Sequence, residues 1–150
     1  MGKSIKVEID NFADEDLKKG EFLYANDLSG CTVFCAIWSP SHQTYPSFFA
    51  HFGGSTIQDP TAGPELMEKM KEGLDVPTSG YQTAPDKAWL VIAYENGSEM
   101  HKVGNERIRS MLRDAGIQKW SEETYVTGSS QRVDQVVELR PGTGDELIKP

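Results

Sequence analysis

The sequence predicts a single α+β domain spanning residues 1–150. Three observations carry that expectation. The chain has 150 residues, 37% of them hydrophobic and 25% charged, which is enough to bury one core. Segments with strand-like alternation outnumber segments with helical period. Their order mixes hairpins with helices, and the chain has no internal repeat and no low-complexity tract.

Ile5, Val7 and Ile9 alternate with polar residues, the pattern of a half-buried strand. The acidic stretch Asp14 to Lys19 reads as a surface turn or short helix, followed by a strand at Phe22 to Ala25. Asn26 to Gly30 is a polar break. Thr32 to Trp38 is rich in β-branched and aromatic residues and reads as a strand. Turn chemistry at Ser39 to Gln43 then leads into a returning strand, Ser47 to Phe52, ended by Gly53-Gly54.

Apolar residues at 66, 67, 70 and 74 predict an amphipathic helix over Pro64 to Leu74. Val76 to Pro85 reads as a loop, and Ala88 to Tyr94 as a central strand. Asn105 to Ala115 is the clearest helix, with Asn105 as N-cap and Gly116 as its stop. Arg132 to Arg140, a turn at Pro141 to Gly144, and Glu146 to Lys149 form a terminal hairpin.

A net charge of −8 and a pI near 4.8 repel phosphate backbones and anionic lipid, so no nucleic-acid partner is expected. Two cysteines and three histidines argue against a structural zinc site and a disulfide scaffold. No apolar window reaches the length of a membrane span, and the N-terminus has no secretory h-region. The expected place is the cytoplasm, or export by a route that needs no cleavable signal.

The two thiols lie in the stretch LSGCTVFCAIW, residues 28 to 38. On a strand their Cα atoms stand roughly 13 Å apart, beyond the ~7 Å that a disulfide spans. That spacing also makes a redox pair a poor reading. Cys35, in mid-strand, reads as a small core residue. Cys31 differs because Ser29-Gly30 leaves it uncovered. A hairpin loop centred on Ser41 gives facing residues a constant index sum of 82. That register sets Cys31 opposite His51 with Cβ atoms about 5 Å apart. The imidazole would then share the thiol proton and yield a thiolate at neutral pH. The plainer alternative is a slipped register, with His51 an ordinary strand residue. His42 falls in the turn, and His101 has no partner that spacing can name.

These residues resemble the glutamine deamidases of bacterial chemotaxis receptors, the CheD family. There a Gly-Ser-Cys precedes a Val-rich strand with its own second cysteine, and an Ala-His pair follows on the next strand, as Ala50-His51 does here. VGNERIRSMLRDAGI (103 to 117) is similar to the family's helix, and TGSSQRVDQVVELRPGTGDELI (127 to 148) to its terminal hairpin. The resemblance covers roughly Ile5 to Ile148 and is weakest between Ile57 and Lys87. The deamidating toxins related to cytotoxic necrotizing factor share the site plan, and their Leu-Ser-Gly-Cys matches residues 28 to 31 more literally.

The fold so implied is a β-sandwich of mixed sheets flanked by helices. The activity implied is hydrolysis of a glutamine side-chain amide, with Cys31 as nucleophile and His51 as base and with no metal or cofactor needed. Backbone N–H groups around Gly30 and Cys31 would hold the oxyanion in a loop shaped by Ser29, and Thr127 and Ser129 would face substrate. The family's orienting threonine, six residues before the cysteine, is here Ala25. That leaves Asn26, Asp27, Ser29 or a backbone carbonyl to orient the histidine, Asn26 being the first choice. The partner implied is a protein with an exposed glutamine, foremost a chemotaxis receptor, and the resemblance leaves room for a regulatory protein. A host protein attacked by an effector, and a non-catalytic binding module, are the rival readings.

Overall fold

Every residue from Thr32 to Ile37 is buried, so this strand must be covered on both faces. That requirement organises the fold. In a computed structural model, which describes residues 2–81, 84–127 and 135–150, ten strands and three helices follow one another. The first strands are β1 (Ser4–Lys6), β2 (Asn11–Leu17), β3 (Phe22–Ala25), β4 (Thr32–Ile37) and β5 (Tyr45–Phe52). Helices α1 (Gly54–Gln58) and α2 (Ala62–Tyr81) come next, then β6 (Lys87–Glu95) and β7 (Ser98–Glu99). Helix α3 (Lys102–Asp114), β8 (Ser121–Val126), β9 (Val137–Leu139) and β10 (Leu147–Ile148) complete the order.

A six-stranded sheet runs β2-β5-β4-β6-β7, with β8 pairing in parallel with β6. A four-stranded sheet runs β1-β3-β9-β10, its first pair parallel and the others antiparallel. Both sheets are therefore part of an α+β architecture, and the larger is mixed.

The strand period of two separates two cores. Phe34, Ala36, Phe48, Ala50, Phe52, Leu90 and Ile92 pack beneath the helices, against Leu66, Met70, Leu74, Ile108 and Leu112. Val33, Cys35, Ile37, Phe49, Val91 and Ala93 face the smaller sheet, against Leu23, Val137 and Leu139. Each of the large buried side chains contributes about 1.5–3 kcal/mol by leaving water.

Several expectations need correction. Asn11–Leu17 is an edge strand paired along its length with β5, not a turn or helix. Its acidic residues are tolerated because an edge keeps one side in water, and Leu17 anchors it in the core. Helix α2 continues to Tyr81 through what composition reads as a loop. Once its packed turns exist, each further residue adds a helical bond at little cost. Helix α3 starts at Lys102, with His101 as N-cap; Asn105 lies a turn inside and is wholly buried. Among the described residues no helix is long and apolar enough to cross a membrane.

Candidate active site

Cys31 stands at the entrance to β4, half-buried, just after Gly30. Gly30 has φ +136°, a conformation that glycine adopts freely and other residues rarely do. Tyr125, on β8, fixes this turn from behind. The Gly30 N–H donates to its hydroxyl oxygen at 3.1 Å, and the hydroxyl donates to the Cys31 carbonyl at 2.6 Å. The Gly30 N–H is thus already engaged and is not an oxyanion donor in this arrangement, contrary to expectation. The backbone N–H groups that favour the Cys31 thiolate are those of Gly54 and Ser29.

The hairpin register also differs from expectation. Thr32 pairs with Phe52 and Val33 with His51, an index sum of 84. The chain reverses one position later than Ser41, through His42 and Gln43, both with positive φ. Ser41 bridges Thr44, out of step with the pairing beyond it, so the strands carry an extra residue between turn and ladder. Cys31 therefore lies diagonal to His51, not opposite. Residues two apart share a strand face, so both side chains still point between the sheets. Such diagonal neighbours stand roughly 7–8 Å apart at Cα.

His51 is 6% exposed, and its Nδ1 lies 2.9 Å from the Val7 carbonyl oxygen. A carbonyl only accepts, so Nδ1 carries the proton and Nε2 holds a lone pair. Nε2 is buried and has no hydrogen-bond partner, so thiol and imidazole are not hydrogen-bonded to each other. The orienting group is the Val7 backbone; the tentative role of Asn26 is not supported, because Nδ1 is taken.

Asp10, which the sequence reading passed over, braces the same corner. Its carboxylate accepts from the Gly53 N–H at 2.7 Å and from the Thr56 hydroxyl at 2.8 Å. Its own N–H donates to the His51 carbonyl at 2.6 Å.

Burial pushes the Cys31 thiol above its ordinary value; the Gly54 N–H opposes this, the Asp10 carboxylate adds to it, and the Ser29 N–H opposes it. Burial holds His51 below 6.5, opposed chiefly by the Val7 carbonyl and Asp10. The resting site thus pairs a neutral thiol with a neutral imidazole, where the sequence alone led us to expect a thiolate. Stability should follow. Below pH 6.5 the unfolded chain protonates His51 while the folded one does not, so stability falls as pH drops through that window. Urea unfolding between about pH 5 and about 7 should show this slope, and His51→Gln should flatten it. A slope unchanged by the substitution would assign it to other groups.

Thr127 is buried and its hydroxyl donates to the Met100 sulfur at 3.1 Å, so it faces inward and not toward substrate. Ser129 lies outside the described residues. His101 was missed. Its ring covers the glycine pair beside the thiol: a Cβ on Gly54 would stand 2.3 Å from His101 Nε2 and 2.8 Å from the Gly30 carbonyl oxygen. The Gly-Gly after β5 was the available signal, since glycine is retained where another group approaches closely.

Among the described residues no three His, Cys, Asp or Glu side chains gather as metal ligands. A cavity of about 760 Å³ with Trp89 and Trp120 in its walls opens at the Lys87 end of β6. That end pairs with Ile37, at the far end of β4 from Cys31, so the cavity is not part of the thiol site. No protein-family model matches the chain, and no curated protein matches it.

Proposed function

We propose that the chain is a cysteine-dependent protein-glutamine deamidase of the CheD and cytotoxic necrotizing factor kind, with the mixed-sheet sandwich of those proteins. One observation carries the reading. Cys31 opens a strand just after the positive-φ Gly30 turn, while His51 on the same sheet face has its Nδ1 proton tied to the Val7 carbonyl. The Nε2 lone pair is thereby left as a base on the thiol's side of the sheet.

In the reaction, His51 Nε2 takes the Cys31 proton as sulfur bonds to the glutamine carboxamide carbon. The carbonyl electrons move to oxygen, which the Gly54 and Ser29 N–H groups can hold as the sulfur changes its bonding. The C–N bond then breaks as an imidazolium gives the nitrogen a proton and ammonia leaves. Water gives a proton back to imidazole as it attacks the thioester, and the C–S bond breaks to release glutamate and the thiol.

The Val7 carbonyl also answers the departure at Ala25. A side-chain orienter is not required where a backbone acceptor fixes the tautomer, so the missing threonine does not favour a dead enzyme. Chemotaxis receptors are the first substrates to try, on the strength of the resemblance, and the cytoplasm suits two free thiols.

Mass spectrometry of chemoreceptor fragments and of a cell lysate, treated with wild type or Cys31→Ser, tests this. A gain of about 1 Da on one glutamine peptide, present only with wild type, is expected. Absence of any Cys31-dependent conversion in either sample, with a partner still captured, would replace the enzyme by a binding module.

A further inference from the structure

We propose that His101 is a second catalytic imidazole of the Cys31 site: it protonates the departing ammonia and then activates the water that replaces it. The inference rests on the deamidase reading of Cys31 and divides the proton transfers between two histidines.

The placement is the first argument. His101 Nε2 lies against Gly54, the residue whose N–H favours the Cys31 thiolate, and 3.5 Å from where a Gly30 Cβ would be. It thus covers the residues on both sides of the nucleophile. His101 is also held at φ +56° without a side-chain capping bond. A non-glycine residue in that region is uncommon and is retained where surrounding structure imposes it. Among the described residues its ring makes no hydrogen bond, so neither nitrogen is committed to a protein partner, although Nε2 packs on Gly54.

Access is the second argument. His51 Nε2 is shut off from solvent, whereas His101 is only partly buried. Ammonia must leave, and water must enter, on the open side of the thioester. Proton balance follows. His51 takes the thiol proton, and His101 in its protonated form gives one to nitrogen as the C–N bond breaks. Neutral His101 then takes a proton from water as it attacks the thioester carbon. The C–S bond breaks, His51 returns its proton to sulfur, and both imidazoles are restored.

p-Nitrophenyl acetate tests this without the natural substrate. Its leaving group departs as an anion and needs no proton, so acylation of Cys31 should require His51 alone. Hydrolysis of the acetyl-Cys31 thioester should require His101. Wild type should show a nitrophenolate burst followed by turnover, with the burst lost in His51→Gln. In His101→Asn, which retains a side chain suited to positive φ, and in His101→Gln, the loss should fall on turnover, by about a hundredfold. Added imidazole should restore part of it. Turnover within twofold of wild type in both variants would overturn the proposal alone. Equal loss of burst and turnover in both would make His101 a structural support and overturn it as well. No Cys31-dependent burst in wild type would overturn the deamidase reading and the proposal together.

Discussion

Iodoacetamide should label Cys31 in the folded protein and leave Cys35 essentially untouched, with rates differing on the order of 10⁴-fold or more. Cys35 is 0% exposed in the core between the sheets, and burial drives its thiol far above the ordinary value. It can react only when the strand opens, and a stable domain populates such openings at about one part in 10⁴ or less. Cys31 needs no opening.

The pH profile carries the sharper content. Because burial raises the Cys31 thiol above 9.0, its thiolate is scarce at neutral pH and grows about tenfold per unit toward alkaline pH. Labelling should therefore rise about a hundredfold between about pH 7 and about 9, without a neutral plateau. A plateau near neutrality, abolished by His51→Ala, would instead show a resting thiolate–imidazolium pair. Equal labelling of both cysteines without denaturant would remove Cys31 from consideration as a special thiol.

The hairpin that bears the site was legible because Thr32 to Ile37 and Tyr45 to Phe52 are dense in β-branched and aromatic residues. Its register was not, since nothing local marks His42 and Gln43 as the residues that take positive φ. The slip of two residues moved His51 from opposite Cys31 to a diagonal position yet kept both on one face. Strands β2 and β8 went unread because edge strands carry acidic and polar residues that resemble loops.

Asn96-Gly97 was a readable signal left unread: both residues have positive φ and turn β6 into β7, as that dipeptide favours. Val7, Asp10 and His101 could not have been placed from spacing. They lie far along the chain from the groups they serve, and only the assembled sheets and α1 bring them to the thiol.

Asn105→Ala should cost about 3–5 kcal/mol, or roughly 10 °C in melting temperature. Asn105 is 0% exposed and every polar atom of its side chain is used. Its Oδ1 accepts from the Thr32 hydroxyl at 2.6 Å, and its Nδ2 donates to Glu99 at 2.9 Å and to the Met100 carbonyl at 2.8 Å. Truncation leaves the Thr32 hydroxyl and the Met100 carbonyl without this partner and opens a cavity, and a buried group left unpaired loses about 1–3 kcal/mol. The Glu99 carboxylate still faces Arg109 at 3.3 Å, so the loss is not larger. Asn105→Asp should also destabilise, because it sets a second carboxylate against Glu99, and its cost should shrink in acid as one of the two protonates.

The position matters for chemistry as well as stability. Thr32 follows the nucleophile and Met100 precedes His101, so one amide ties the two walls of the site together. At temperatures where Asn105→Ala stays folded, the p-nitrophenyl acetate burst and the subsequent turnover should both fall. A variant that unfolds within about 1 kcal/mol of wild type and keeps both phases would show that the walls hold their spacing without this tether.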